Sequence, residues 1–144
     1  MSGSSRVLRS EGFRWAGVEV REYKSGDTGF RGINRQTLLG DGPDEETLNF
    51  VTRYFEILPG GYSSLERHEH PHSVIVLRGT GRVLLGDQTH EIAPFDGVYV
   101  APGTPHQFQA TGDDPLGFLC VVDRLRDRPQ AVNRRETGNP DGLP

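Results

Sequence analysis

No segment of this chain shows a sustained helical period, and its apolar runs are short. Each is cut short by glycine, proline or an Asn/Asp cluster, and with 19 glycines and 10 prolines the cuts recur along the whole length. Short apolar runs at regular intervals, punctuated by turn residues, are the mark of an all-β sandwich or barrel. The pattern predicts strands near 17–23, 34–39, 49–58, 63–68, 72–77, 81–85, 88–92, 97–100, 106–109 and 116–122. Turns are expected at Pro59-Gly60-Gly61, Arg78-Gly79-Thr80-Gly81, Gly86-Asp87, Ala101-Pro102-Gly103 and Gly112-Asp113-Asp114. The polar stretch beyond about Pro129 is expected to be irregular. With 144 residues, no internal repeat and no second block of patterning, the expectation is one domain over 1–144 with its core near 50–122.

The charge pattern narrows the function classes. A net charge of −4, with no basic stripe, argues against nucleic acid or an anionic membrane surface as partner. No run approaches the length of a membrane span, and Met1–Ser5 offers no apolar signal core, so a cytoplasmic protein is expected. The single cysteine, Cys120, precludes an intrachain disulfide and, inside Gly117–Val122, reads as inert core.

Chemistry concentrates at Glu66-Arg67-His68-Glu69-His70-Pro71-His72, which holds three of the five histidines. On an extended strand, residues at i, i+2 and i+4 share one face, so His68, His70 and His72 are expected to project into one cavity as metal-ligating imidazoles. A solvated edge strand is the bland alternative. Glu69 falls out of the row, and His90, between Thr89 and Glu91, reads as a surface residue.

These residues resemble the cupin family. Gly60, Glu66, His68, His72 and Gly79 match the spacing of its first motif, which normally reads Gly, His, His, Glu, Gly. Asp96, Val98, Val100 and Gly103-Thr104-Pro105-His106 resemble the second. The resemblance covers roughly Phe50 to Val122 and implies a cupin double-stranded β-barrel, jelly-roll-like, with a metal site. Literal transfer of the motif gives Glu66, His68, His72 and His106 as ligands. The strand argument, helped by the extended bias that Pro71 places on His70, instead gives His68, His70, His72 and His106. In that second set Glu66 becomes a general base or an orienter of an imidazole. An all-imidazole site suits one divalent ion, zinc first, with iron or nickel next.

Along the chain, Pro-Gly-Gly-Tyr-Ser-Ser-Leu-Glu-Arg-His-Glu-His-Pro-His and Asp-Pro-Leu-Gly-Phe-Leu-Cys-Val-Val resemble a branch of small bacterial cupins that includes aromatic polyketide cyclases. That resemblance implies aldol-type closure and dehydration of a poly-β-ketone, an apolar polyketide-like molecule. Arg53, Phe55, Val74, Val76 and Phe108 are the expected substrate contacts, with Arg53 able to hold an oxyanion or to end in a rim salt bridge. No Lys, Arg or Asn cluster is visible near the histidines, so a phosphate or sugar ligand is not favoured. A metal-dependent dioxygenase and a non-enzymatic binding cupin are the rival readings. The apolar residues in Phe13–Val20 suggest a homodimer built through outer strands.

Overall fold

The computed structural model describes residues 5–24 and 29–137. The strands, in chain order, are β1 (Ser10–Glu11), β2 (Arg14–Trp15), β3 (Arg21–Glu22), β4 (Arg31–Leu39), β5 (Phe50–Tyr62), β6 (Glu66–Arg67), β7 (His72–Arg78), β8 (Gly81–Leu85), β9 (Gln88–Ile92), β10 (Gly97–Val100), β11 (His106–Ala110), β12 (Leu116–Asp123) and β13 (Gln130–Ala131). A single 3-10 turn, Arg134–Thr137, is the only helical element among the described residues. The all-β expectation is met, and the architecture is a cupin-type antiparallel barrel.

One wall runs β3-β4-β5-β12-β7-β10. The other is formed by β9-β8-β11, with β6 and β13 continuing from β11. β5 belongs to both walls. Its first part pairs with β12 from Phe50 to Ile57, and its end pairs Tyr62 with Gln109 of β11. The Pro59-Gly60-Gly61 segment expected to be a turn is thus the corner at which one strand changes sheets. Gly61 is needed there, since a Cβ would stand 2.5 Å from the Arg31 carbonyl oxygen.

Between the walls, inward-pointing residues of both sheets pack into one core. Ile57, Val74, Val76, Val83, Val100 and Leu116 lie at its most buried positions. Alternation along β7 and β10 puts Val74, Val76 and Val100 inside and turns Ser73, Ile75 and Tyr99 outward.

The N-terminal segment covers the outer face of β5. Phe13 stacks on Tyr54 with centroids 5.8 Å apart, Trp15 tilts against the same ring at 5.0 Å, and Gln36 Nε2 donates to the Phe13 carbonyl at 3.0 Å. Beneath them the Tyr54 hydroxyl donates to Glu56 Oε2 at 3.0 Å. Phe13 and Trp15 of the Phe13–Val20 run thus pack within the chain, while Val20 stays exposed.

Three sequence expectations change. The strand over 17–23 shrinks to Arg21–Glu22. The strand over 63–68 shrinks to Glu66–Arg67, because the chain bends at Glu69–His70 before β7 begins at His72. The segment past Pro129 is partly regular, with Gln130 and Ala131 pairing against β6; the rest of that expected irregular tail, 138–144, lies outside the described residues.

Candidate metal centre and its cavity

His68, His72 and His106 arrive from three places: the segment after β6, the first residue of β7 and the first residue of β11. Their ligand-capable ring nitrogens all lie within 4.8 Å of one another. Pairing of β11 with β6 sets His106 opposite Glu66, which fixes the depth of the second motif against the first.

Each ring is anchored through Nδ1. His68 donates to the His70 carbonyl at 2.6 Å and His106 to the Thr104 carbonyl at 2.8 Å, while His72 Nδ1 lies 2.8 Å from Cys120 Sγ. A carbonyl oxygen only accepts, so His68 and His106 carry their protons on Nδ1 and turn Nε2 inward. This is the arrangement by which neighbouring groups orient metal-ligating imidazoles. Burial and the neighbouring imidazoles hold the rings neutral. His68 is pushed down to about 4 by burial, then by His106 and His70. His72 is lowered more strongly and His106 is lowered too, burial being the largest cause in both.

The donor set fits a cation. Nε2 of His72 and Nε2 of His68 face each other at 2.8 Å. His68 presents a lone pair there, and with His106 also turning Nε2 inward the three rings can converge on one positive ion. Neutral imidazole is also the form that binds metal.

His70 takes another position. Its ring stacks on His68 with centroids 3.6 Å apart and 3° between planes. Lone pairs lie in the ring plane, so two parallel rings at that spacing do not aim at one ion. Its Nδ1 is held by Asp127 at 2.8 Å, and the Glu69 and His70 amides donate to the same carboxylate at 2.8 and 2.9 Å. These bonds depress the Asp127 carboxyl, the Glu69 amide contributing most. Asp127 thereby caps the bend that takes His70 out of the expected row. A second cluster of metal-capable donors, His68, His70 and Asp127, results from the same contacts, although the parallel stack keeps the two imidazoles from sharing one ion.

Glu66 is buried on the cavity wall, its carboxylate held by Lys24. It lies outside both metal-capable groups. Next to it Tyr23 engages Ser64, and burial raises its hydroxyl above the usual range, so it stays protonated.

The cavity in front of the three rings has a volume of about 250 Å³. Arg53, Phe55 and Phe108 line it, as expected of substrate contacts, whereas Val74 and Val76 pack in the apolar core and do not. Phe118 stacks between Phe55 and Phe108, at 5.6 and 4.6 Å. The sequence reading missed Tyr23, Lys24, Arg35, Arg126 and Asp127, which also line the cavity. The expectation that no cations converge near the histidines is overturned: Lys24, Arg35, Arg53 and Arg126 come from four separate segments that only the folded barrel brings together. His90 is exposed on β9, away from the site.

Comparison with known proteins agrees with this architecture. The family model for the cupin domain matches residues 53–122. The chain is 44% identical over 120 residues, 82% of its length, to the 1-methylthio-D-xylulose 5-phosphate methylsulfurylase of Rhodospirillum rubrum, covering 74% of that protein. Among solved structures, a cupin 2 conserved barrel domain protein from Rhodopseudomonas palustris superposes with a TM-score of 0.79 at 44% identity, covering 92% of this chain and 89% of the other. The polyketide cyclase RemF of Streptomyces resistomycificus is more distant, at 26% identity and a TM-score of 0.75, covering 90% and 86%. The relatives thus include enzymes of different chemistry. No helix among the described residues is long and apolar enough to cross a membrane.

Proposed function

This chain belongs to the cupin family, and from that premise we propose that it is a metal-dependent enzyme moving a proton on the carbon beside a ketone in a small substrate. The observation that carries this reading is the set of three imidazoles, each tied back through Nδ1, facing a cavity that also holds the buried Glu66 carboxylate. A divalent ion held by His68, His72 and His106 would supply Lewis-acid polarisation of a carbonyl oxygen. Zinc is the ion we assign, on the nitrogen donor set. Glu66 is the proton-transfer group, Lys24 fixes its carboxylate, and the Phe55, Phe108 and Phe118 rings exclude water from one side.

The substrate class we favour is a methylthio-ketose phosphate like that named for the Rhodospirillum rubrum relative. Two features support it: a cavity of about 250 Å³, below the roughly 300–1,000 Å³ usual for drug-sized ligands, and its cationic lining. A second reading, polyketide cyclisation, draws on the three stacked aromatic rings and on the resemblance to RemF. That second reaction also needs a proton moved from the carbon beside a carbonyl. We place the protein in the cytoplasm and as a homodimer.

The test is solvent exchange. Zinc-loaded protein in D₂O is expected to wash deuterium into the carbons flanking the ketone of 1-methylthio-D-xylulose 5-phosphate, read by NMR. A poly-β-ketone assayed in parallel decides between the two substrate classes. No exchange with either compound would overturn the reading.

A further inference from the structure

Arg35 on β4, Arg53 on β5 and Arg126 in the segment after β12 all line the cavity of the histidines. In the pairing of β4 with β5, Arg35 stands opposite Phe55 and Thr37 opposite Arg53. The two arginines are therefore diagonal neighbours on one face of the sheet, within reach of one another's long side chains. Arg126 enters from the other side, its Nη1 donating to the Asp123 carbonyl at 2.8 Å. The three positive charges feel one another. Arg35 is lowered by burial, then by Arg53 and Arg21, and Arg126 by burial, then by Arg53 and Arg35; Asp41 opposes the shift at both.

The three also line the adjoining cavity that holds Asp41 and Glu45, and Asp41 offsets part of their charge from beyond ion-pair distance. Among the described residues none of the three forms an ion pair with a carboxylate. The Nε atoms of Arg35 and Arg53 are buried and have no hydrogen-bond partner. Buried donors left unpaired are rare enough in native proteins to require an explanation. Guanidinium forks match the oxygens of a phosphate two at a time, and three forks suit a dianion with three terminal oxygens better than a carboxylate with two.

We propose that Arg35, Arg53 and Arg126 form a clamp for a phosphate monoester of the substrate, beside the metal-binding histidines. The clamp reaches the histidines through one side chain. Arg53 Nη2 lies 3.5 Å from Cys120 Sγ, which lies 2.8 Å from His72 Nδ1. A short phosphorylated ketone spans that distance with its ester on the arginines and its carbonyl toward the imidazoles. This proposal rests on the ketone reading only for the identity of the esterified molecule; anion binding stands on the arginines themselves.

Inorganic phosphate is the probe. Titration calorimetry of the zinc-loaded full-length protein is expected to show saturable phosphate binding, with sulfate as the control anion. Arg53→Gln and Arg126→Gln are each expected to weaken it at least tenfold with zinc content unchanged by elemental analysis. Arg126 is exposed, so its variant keeps the fold if Arg53→Gln does not. D-xylulose 5-phosphate should bind in the wild type, lose affinity in both variants, and exceed D-xylulose only while the arginines are present. Phosphate binding that is absent in the wild type, or unchanged in Arg126→Gln, overturns the clamp. Arginine-dependent phosphate binding without any deuterium exchange keeps the clamp and sinks the ketone reading alone.

Discussion

His72 and Cys120 meet across two neighbouring strands, with Nδ1 2.8 Å from Sγ although 48 residues separate them. The thiol is buried, as its apolar strand predicted, but it is not merely filling space. Burial raises it above the usual thiol range, against the opposing pull of Arg53, so at neutral pH it is a neutral group standing between a guanidinium and an imidazole.

If the sulfur orients the ring, Cys120→Ala lowers zinc affinity. Loss of an orienting partner typically costs about 10- to 100-fold. Cys120→Ser should retain more affinity than Cys120→Ala, because a hydroxyl can still accept from Nδ1. Competition against a zinc chelator measures this, and equal affinity in all three proteins would reduce Cys120 to packing.

His72→Ala and His106→Ala should strip most bound metal, since each supplies one imidazole of the cluster, while His90→Ala on the exposed surface should not. The fourth ligand is decided by a pair of variants. The parallel stack on His68 and the bond to Asp127 lead us to expect zinc retention in His70→Ala. Retention in His70→Ala with loss in Glu66→Gln would instead give the position to the carboxylate. Elemental analysis of purified protein reads all five variants.

The hairpin from Gly81 to Ile92 and the strand at Gly97–Val100 were legible because local turn chemistry fixes their ends. The metal row was legible in residue type but not in shape. Pro71 constrains His70, yet nothing local reveals that Asp127, from beyond β12, caps a bend there. The arginine cluster was invisible for a similar reason. Arg35, Arg53 and Arg126 share no spacing, and only the register of β4 on β5 and the path of the chain after β12 assemble them. Arg53 alone is legible in the sequence, from Tyr54 and Phe55 beside it on an apolar strand.

Acid should destabilise the metal-free protein. In the unfolded chain a histidine takes its proton near pH 6.5, whereas folded His68 waits until about 4 and His72 until lower still. Between those values the unfolded state binds more protons, so stability is full above pH 6.5 and is lost as pH falls toward 4. Thermal melts of chelator-treated protein at pH 7, 6 and 5 should show a falling midpoint, with a smaller fall in His72→Ala. A midpoint flat across that range would contradict neutral, buried imidazoles.

A homodimer would find the Phe13 and Trp15 rings already engaged on Tyr54, which favours another surface. β10 is an edge strand, and Ile75, Phe95 and Tyr99 are exposed on or beside it. Pairing there would cover both an open edge and an apolar patch. Light scattering at micromolar concentration should give twice the chain mass, and Tyr99→Glu should return the monomer. A monomeric wild type removes the proposal.

Proton transfer by Glu66 makes the most exacting demand. Moving a proton beside a ketone exchanges no electrons, so turnover by the zinc protein should be the same with and without oxygen. Glu66→Gln keeps the size of the side chain and removes its basicity; if the carboxylate is the proton-transfer group, turnover falls about 10²–10⁴-fold. Zinc content must stay constant for that fall to be assigned to Glu66, which is why elemental analysis accompanies the kinetics. Lys24→Met is the control for positioning. It frees the carboxylate without removing it, so turnover should fall less than in Glu66→Gln. Full activity in Glu66→Gln would exclude the carboxylate as the proton carrier. Turnover that consumes oxygen, or that only ferrous iron restores, would replace the proton-transfer reading with the oxygenase.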